Sequence, residues 1–315
     1  MKTYHNKIAI TTGDCNGIGT EVTIKALNAL DIPVEDVVII TDPRVLNHYG
    51  KLEKDYEILS VEYNGLIETG EITADAGEFA YKLLEKACEI KPKAIVTAPT
   101  SKEAMYLAGR KFNGQTEVLE KLLANSGEKA EMLFISPSFD VFLLTRHCPL
   151  NQISITTEML VEKIVNLAKF YQRSTKFALC GLNPHAGEDG ILGEEEIKII
   201  IPAVNRLQEM GISITMPKPA DTLFVEAVQA GFNKQKAPYD CYIAMYHDQG
   251  LIPIKSVAMD TAVNTTIGLP ILRTSPSHGT AFDIAGKGIA NPTSMISAIK
   301  TAYEICNKKI IKQSL

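Results

Sequence analysis

The sequence predicts an α/β fold built on parallel sheets covered by helices. Short runs of Val, Ile and Leu recur without strict polar alternation, which is typical of strands buried on both faces. Apolar stripes with helical spacing lie between these runs, as over residues 74–90 and 160–171. Strands and helices that alternate in this way indicate parallel sheets. The 315 residues suit two domains or one large unit, and no glycine-rich linker separates two halves.

Six runs are predicted to be the buried strands of this fold. In chain order they are 8–12, 37–40, 94–98, 141–145, 177–181 and 242–246. Polar clusters follow five of them: TTGD, TAPTSK, TRHCP, GLNPHAGE and YHDQG. Ligands of open α/β sheets bind beyond the carboxyl ends of the strands, so we expect these clusters to converge on one site.

Composition excludes several classes of protein. Hydrophobic residues make up 45% of the chain, which excludes a disordered or collagenous chain. The net charge of −5 disfavours nucleic acid as a partner. The apolar runs are far shorter than the roughly 20 residues of a membrane span, and the first residues contain no signal-peptide h-region. Six scattered cysteines without a CxxC motif indicate reduced thiols and a cytoplasmic protein.

Three of the six histidines follow predicted strands. His147, His185 and His247 each stand in a polar cluster, at separations that exclude a local zinc finger. Three imidazoles and an open position would form a catalytic metal centre. The alternative is three unrelated loop histidines. Asp248 could orient a ligand or act as an acid/base, or it could simply cap a helix.

Three further features suggest anion or nucleotide binding. The loop from Thr12 to Gly19 opens a helix, yet its glycines fit neither the G-x-G-x-x-G nor the Walker A spacing, so a tight turn explains it equally well. Lys255, Asn264 and Arg273 suit phosphate and carboxylate oxygens, although isolated Lys and Arg are usually solvated. The glycine-rich stretch 278–292 is either a functional loop or a structural Ω-loop.

The sequence resembles the 4-hydroxythreonine-4-phosphate dehydrogenase family over nearly its whole length. The resemblance lies in these motifs: GDCNGIGTE (13–21), FNGQTE (112–117), RHCPL (146–150), LNPHAGEDG (182–190), PADTLF (219–224), YHDQGLIPIK (246–255) and GLPILRTSPSHGTAFDIAGKG (268–288). The stretch from 278 is also similar to the NAD loop of isopropylmalate dehydrogenases.

The resemblance implies a role for each candidate residue. His147, His185 and His247 correspond to metal ligands, with His247 supplied by the neighbouring subunit of a homodimer whose active site lies at the interface. Substrate-binding positions are Gln115, Thr116, Lys255, Asn264 and Arg273. The positions expected at NAD are Gly13, His278, Gly279, Asp283 and Asn291. Asp248, Asp221 and Lys255 are the candidates for catalytic proton transfer.

The implied fold consists of two α/β/α lobes around a central cleft, like isocitrate and isopropylmalate dehydrogenases and unlike a standard Rossmann fold. Residues 1–105 and 274–315 would form the NAD-binding lobe. Residues 106–273 would form the metal, substrate and dimerisation lobe.

The implied reaction is the NAD-dependent oxidation of 4-phosphohydroxy-L-threonine, followed by decarboxylation, in pyridoxal 5'-phosphate synthesis. Zinc is the first choice of metal, with cobalt, magnesium or manganese as alternatives. Gln115 replaces the family's histidine, and Cys15, Asn16 and Thr20 depart from the usual first loop. These changes leave open the alternative that the chain is a paralogue which oxidises erythronate or threonate 4-phosphate.

Three other classes of function compete with a dehydrogenase. A metal hydrolase would use the histidines but leave the 278–292 loop without a role. An acyl transferase acting on phosphate rests on fold analogy alone. A non-catalytic phosphoacid-binding protein would bind ligand without reducing NAD.

Overall fold

The computed structural model describes residues 3–171 and 175–307, which divide into two compact units. Unit 1 comprises Met1–Ala130 and Val263–Leu315, and unit 2 comprises Glu131–Ala262. In the described part of the chain, no helix combines the length and the apolar composition needed to cross a membrane.

Unit 1 is a six-stranded sheet with helices on both faces. Its strands are β1 (Ile8–Thr11), β2 (Val37–Thr41), β3 (Glu57–Ser60), β4 (Ala94–Thr97), β9 (Val263–Ile267) and β10 (Leu272–Ser275), in the order β3-β2-β1-β4-β10-β9. All neighbours are parallel except β10 and β9. Its helices are α1 (Gly19–Ala29), α2 (Pro43–Tyr49), α3 (Ala74–Glu89), α4 (Lys102–Leu107), α5 (Gln115–Leu123) and α10 (Thr293–Cys306).

Side chains of β1 alternate between two apolar clusters. Ile8 and Ile10 pack in one cluster with residues of α1 and α10, whereas Ala9 packs in the other with residues of α3. Successive side chains of a strand point to opposite faces, so both faces of this sheet are buried. This arrangement explains the near-continuous apolar runs of the sequence.

The described residues of unit 2 form four strands and four α-helices. The strands are β5 (Glu131–Ile135), β6 (Asp140–Leu143), β7 (Phe177–Leu179) and β8 (Cys241–Ala244). Their order is β5-β6-β8-β7, and β6, β8 and β7 run parallel. The helices are α6 (Thr157–Tyr171), α7 (Ile201–Glu209), α8 (Ala220–Phe232) and α9 (His247–Ala258).

The compact units divide the chain at different residues from those that the resemblance implied. The expected boundaries stood at 105/106 and 273/274, whereas the compact units meet at 130/131 and 262/263. Compared with the expected NAD-binding lobe, unit 1 also includes α5, because Val118 and Leu119 pack in the same cluster as α3. It also gains β9 and the start of β10, because β10 pairs with both β4 and β9. The roles expected of the lobes stay predictions.

Candidate active site

The three histidine segments of unit 2 follow three neighbouring parallel strands. His147 follows β6, His185 follows β7, and His247 follows β8 and begins α9. Parallel strands present their carboxyl ends at one edge of a sheet, so the three segments begin at the same edge of this unit. The expected convergence of TRHCP, GLNPHAGE and YHDQG therefore holds for the strand ends within unit 2.

Two of the histidines stand side by side. The ring centroids of His147 and His247 are 5.5 Å apart, with the rings tilted by 46°. Two imidazoles on one zinc ion at Zn–N distances of about 2.0–2.1 Å would have centroids roughly 5 Å apart. The pair therefore fits two ligands of one ion. The two rings belong to one chain here, and the placement of His247 at the metal of a neighbouring subunit stays a prediction.

Asp248 fixes the orientation of the neighbouring imidazole. Its Oδ1 lies 2.7 Å from Nδ1 of His247, and its side chain is otherwise exposed. A carboxylate that holds one ring nitrogen leaves the other available to a metal, which is the usual arrangement around histidine ligands. This contact favours an orienting role for Asp248.

His185 belongs to an unusual left-handed turn. Residues 185–189 all have positive φ, between 44° and 83°, although only Gly187 among them is a glycine. Left-handed backbone costs roughly 1–2 kcal/mol for each non-glycine residue. The His185 side chain is 68% exposed, and its Nδ1 lies 3.9 Å from a carboxylate oxygen of Glu188. Over residues 3–171 and 175–307, no three His, Cys, Asp or Glu side chains are grouped to hold a metal ion.

A buried carboxylate holds the chain that leads into this turn. Glu196 is 2% exposed, and its Oε1 accepts hydrogen bonds from the backbone N–H groups of Leu182 and Asn183, both at 2.8 Å. The Asn183 side chain donates to Oε2 at 2.9 Å. Sequence reasoning missed Glu196, because it stands in the acidic run 194–196, which has the appearance of a solvated surface.

Unit 1 contains a buried guanidinium with neutral partners. Arg273 is 4% exposed and donates from Nε to Thr97 Oγ1 at 2.9 Å and from Nη2 to Gln115 Oε1 at 3.0 Å. Burial lowers the pKa of Arg273 to about 10, so the group remains cationic at neutral pH. A buried cation held by neutral oxygens keeps much of its charge for an anionic ligand.

Gln115 uses its whole amide to support this arginine. Besides accepting from Arg273, it donates from Nε2 to Ala98 O at 3.0 Å and to Thr100 Oγ1 at 2.9 Å. Gln115 begins α5, and Thr116 is buried next to it, so both also stand at a helix N-terminus, which favours anions. A neutral histidine has one donor and one acceptor and could not make these three contacts.

The other predicted substrate and proton-transfer residues are dispersed. Asn264 lies on β9 opposite Ser275, and among the described residues its buried Oδ1 has no hydrogen-bond partner. Such an orphaned acceptor fits a ligand-binding position. Lys255 is half-buried on α9 of unit 2. Asp221 is exposed in the first turn of α8, where a carboxylate complements the helix dipole.

The predicted NAD loop is fastened to α1 at both ends. Ile18 N donates to Thr280 O at 3.0 Å at one end. At the other end, Lys25 Nζ donates to Gly288 O and to Ala290 O, both at 2.9 Å. Glu21 accepts from Lys25 at 2.7 Å and from Ala290 N at 3.0 Å. We call Glu21 and Lys25 the α1 clasp.

The individual NAD candidates differ in what they contact. His278 has a buried Nε2 without a hydrogen-bond partner in the portion of the chain described, which fits a nitrogen reserved for a ligand. Gly279 and Asp283 are exposed on the loop. Asn291 instead accepts hydrogen bonds from the backbone and side chain of Thr293, the first residue of α10. Gly13 has φ +73°, and a Cβ there would lie 2.2 Å from Pro99 O.

Asp14 is a buried acid that sequence reasoning did not assign. Burial raises its pKa from 3.8 to about 6, although backbone N–H groups of Asn16, Ser101 and Gly17 donate to it. Its backbone N–H donates to Pro99 O at 3.0 Å. Asp14 therefore joins the loop after β1 to the loop after β4. Its place directly after Gly13 in TTGD was the available signal.

Comparison with known proteins identifies the family. The family model described as "Pyridoxal phosphate biosynthetic protein PdxA" matches residues 11–302. The chain belongs to the PdxA family. It is 36% identical to the "Putative D-threonate 4-phosphate dehydrogenase" of Oceanobacillus iheyensis, over 96% of this chain and 98% of that protein. It is 37% identical to the "4-hydroxythreonine-4-phosphate dehydrogenase" of Nostoc sp., over 98% and 95%.

Solved structures confirm the fold predicted from the resemblance. The crystal structure of 4-hydroxythreonine-4-phosphate dehydrogenase from Klebsiella pneumoniae superposes with a TM-score of 0.81 at 34% identity, covering 96% of this chain and 99% of that one. Isocitrate dehydrogenase from Methylococcus capsulatus shares the fold, with a TM-score of 0.53 at 15% identity, over 98% and 87%. This PdxA chain is thus an oxidoreductase with an isocitrate/isopropylmalate dehydrogenase-like fold.

Proposed function

We propose that this PdxA chain catalyses the NAD-dependent, divalent-metal-dependent oxidation of 4-phosphohydroxy-L-threonine. The product, 2-amino-3-oxo-4-phosphobutanoate, then loses carbon dioxide to give 3-amino-2-oxopropyl phosphate. The observation that carries this proposal is Arg273, a buried guanidinium held by Thr97 and Gln115 through neutral oxygens. A substrate with a phosphate and a carboxylate supplies the anion that such a group lacks.

The metal would be held by His147, His185 and His247. The 5.5 Å separation of two of the rings and the nitrogen donor set support this assignment, with zinc first and cobalt, manganese or magnesium as alternatives. When bound, the ion would polarise the reacting hydroxyl of the substrate and later the ketone. Asp248 keeps the imidazole of His247 in the orientation that this role requires.

NAD would bind along the 278–291 loop and accept the hydride. The orphaned Nε2 of His278 is the group that this loop offers to a ligand. Asp283, exposed on the loop, suits the hydroxyls of a ribose and would disfavour a 2′-phosphate, so we propose NAD over NADP. The α1 clasp keeps the loop in place.

The remaining polar residues would bind and orient the substrate. Arg273 and the N-terminus of α5 would hold an anionic end, and Asn264 would offer its orphaned Oδ1 to a hydroxyl or ammonium hydrogen. We propose Lys255 and Asp221 for proton transfer. Fixing both ends of a substrate converts binding energy into orientation of the reacting carbon.

We also propose a homodimer with the active site at the subunit interface. Large apolar side chains are exposed on α8, on α9 and directly after α9 in unit 2: Phe232 at 67%, Ile252 at 66% and Met259 at 53%. Exposed apolar residues on neighbouring helices favour a protein contact.

D-Threonate 4-phosphate and erythronate 4-phosphate form the second candidate substrate class. The specific observation is Gln115, whose neutral amide stands where the resembled family has histidine and is committed to three protein contacts. The relative from Oceanobacillus iheyensis bears the name of such an enzyme.

The test is NADH formation with zinc or cobalt supplied, comparing the three 4-phosphorylated hydroxy acids. The proposal expects the highest kcat/KM for 4-phosphohydroxy-L-threonine. A higher value for D-threonate or erythronate 4-phosphate would replace the substrate and make Gln115 the first position to exchange. Absence of NAD reduction with all three would overturn the dehydrogenase assignment.

A further inference from the structure

Asn16 joins the loop after β1 to the turn formed by residues 68–71, which we call the brace. Its Oδ1 accepts a hydrogen bond from Glu68 N at 2.9 Å, and its Nδ2 donates to Glu71 O at 3.1 Å. Its backbone carbonyl accepts from Gly70 N at 2.8 Å. Asn16 is completely buried. This one residue therefore holds three of the four residues of the brace.

Two ring side chains at the end of α2 contact the remaining residue of the brace. Thr69 Oγ1 lies 3.1 Å from Nε2 of His48 and 3.2 Å from the hydroxyl of Tyr49. The same hydroxyl donates to Cys15 O at 2.7 Å. Hydrogen bonds thus connect the loop after β1, the brace and α2 within unit 1.

The brace lies directly against the predicted NAD loop. A Cβ at Gly286 would lie 2.6 Å from Thr69 Cγ2, and a Cβ at Gly70 would lie 3.2 Å from Phe282 O. Both glycines have positive φ, +70° and +91°, so this close approach needs residues without a side chain. Phe282 and Gly286 flank Asp283, the exposed carboxylate proposed to contact a ribose. The brace therefore supports the turn that carries this carboxylate.

The other supports of the loop act mainly at its ends. Ile18 N donates to Thr280 O at one end, and the α1 clasp holds the other. Between these ends, the backbone hydrogen bonds of the described loop residues are local, as from Lys287 N to Ile284 O at 3.2 Å. The position of this turn therefore depends on packing, which the brace supplies together with the apolar contacts of Ala285.

We infer that Asn16 is a positioning residue for the cofactor, because it holds the brace and the brace holds the turn of Asp283. This inference rests on the proposed binding of NAD along the 278–291 loop. A ligand-binding group is effective only when neighbouring residues keep it in the productive position, so a loosened brace should weaken the contact between this carboxylate and the ribose. All of these residues belong to unit 1 of one chain.

The test is a calorimetric titration of NAD, and separately of NADP, into the full-length chain. Asn16→Ala removes the side-chain bonds to Glu68 N and Glu71 O. We expect the Kd for NAD to rise by about 10-fold, the equivalent of one or two lost hydrogen bonds. The Kd for NADP should rise less, because Asp283 disfavours a 2′-phosphate and its displacement relieves that effect. Equal weakening of both nucleotides would leave Asn16 with a structural role only and overturn the inference.

Asn28→Ala is the matched control. Asn28 of α1 also bridges two backbone groups with its side-chain amide, donating to Lys51 O at 3.0 Å and accepting from Glu53 N at 2.9 Å in the same unit. We expect this variant to bind both nucleotides like the unmodified chain, although it loses the same kind of contact. An equal rise in the Kd for NAD in both variants would overturn the inference.

Gly286→Ala decides the question if Asn16→Ala fails to fold. Its Cβ would press on Thr69 Cγ2, so this variant should bind NAD more weakly than the unmodified chain. Adding Thr69→Ser should restore part of the affinity, because serine lacks that methyl group and keeps the hydroxyl that contacts α2. An unchanged NAD affinity in Gly286→Ala, or a loss that Thr69→Ser does not relieve, would overturn the contact between the brace and the loop.

The outcomes separate this inference from the proposed function. An unmodified chain that does not bind NAD contradicts the proposed function itself. An unmodified chain that binds NAD with the same affinity as Asn16→Ala contradicts only the positioning role of Asn16.

Discussion

The cationic site of unit 1 and the histidine site of unit 2 are built in opposite ways. Arg273 is 4% exposed and directly hydrogen-bonded to Thr97 and Gln115. The side chains of His185 and His247 are 68% and 36% exposed. In unit 2 the supporting residues Glu196 and Gln249 make the hydrogen bonds instead, and their partners are backbone groups of the loops.

The difference fits the chemistry of the two ligands proposed for these sites. A phosphate or carboxylate is already charged, so a buried guanidinium can be kept ready for it, and part of the desolvation cost of that guanidinium is met during folding. A metal ion needs open nitrogen lone pairs at short distances, and exposed imidazoles on held loops provide them. Unit 1 thus presents a preformed charge, whereas unit 2 presents preformed loops.

The largest effect is expected from removing a histidine of the pair. His147→Ala should reduce kcat by more than about 1000-fold, because a lost ligand removes the ion that supplies most of the polarisation. Its circular dichroism and melting temperature should remain close to those of the unmodified chain. His5→Ala, which alters an exposed histidine bonded to Lys91 O, is the control and should keep full activity. High activity of His147→Ala in metal-stripped buffer would contradict the histidine site.

A smaller effect is expected at the preformed charge. Arg273→Lys keeps the cation but loses the fork that contacts Thr97 and Gln115, so the KM for the phosphorylated substrate should rise by about 10–100-fold. The same exchange at Arg110, whose fork contacts Glu78 in the same unit, should leave KM unchanged. Steady-state kinetics of both variants decide, and an unchanged KM in Arg273→Lys would mean that this guanidinium does not bind substrate.

A stability effect is expected at the buried acid of unit 1. The folded chain holds the Asp14 proton up to about pH 6, whereas the unfolded chain releases it near the ordinary pKa of 3.8. Stability should therefore fall as pH rises from about 4 to 6, by at most about 3 kcal/mol from this group. Asp14→Asn should show a smaller fall in denaturant titrations across this range, while the exposed Asp55→Asn should not. An identical pH dependence in Asp14→Asn would contradict the raised pKa.

The smallest effect is expected at the α1 clasp. Lys25→Met removes the bonds to Gly288 O and Ala290 O, which loosens one end of the predicted NAD loop. The KM for NAD should rise by about 3–10-fold, the equivalent of one lost hydrogen bond, with kcat nearly unchanged. Lys54→Met removes a similar bond to Leu30 O in the same unit and serves as the control. A changed kcat with an unchanged KM for NAD would separate this loop from cofactor binding.

Among the described residues, the sequence predicted six strands and missed four, β3, β5, β9 and β10; of these, β5 is a largely apolar run, EMLFI, that was not singled out. All six predicted runs contain strands. Strand β3 alternates between half-buried and exposed residues, and β9 reads VNTTI, so neither resembles a continuous apolar run. The position of the unit boundary depended on the packing of α5 and on strand pairing distant in sequence, which local patterns do not record.

In the candidate site, too, the sequence revealed some residues and not others. Histidines could be singled out because they are rare and follow strands. Glu196 and Gln249 act through backbone groups at the start of other loops, so only the three-dimensional arrangement reveals them. Thr97, which holds Arg273, lies 176 residues away in sequence and gives no local signal.

The most direct measurement of the central claim is metal add-back. The chain is stripped of metal with a chelator, and NADH formation from 4-phosphohydroxy-L-threonine is followed before and after zinc or cobalt is added. The account predicts negligible activity in the stripped chain and restoration by either ion. Full activity in the metal-stripped chain, or no activity after zinc or cobalt is added back, would contradict a dehydrogenase that depends on His147 and His247.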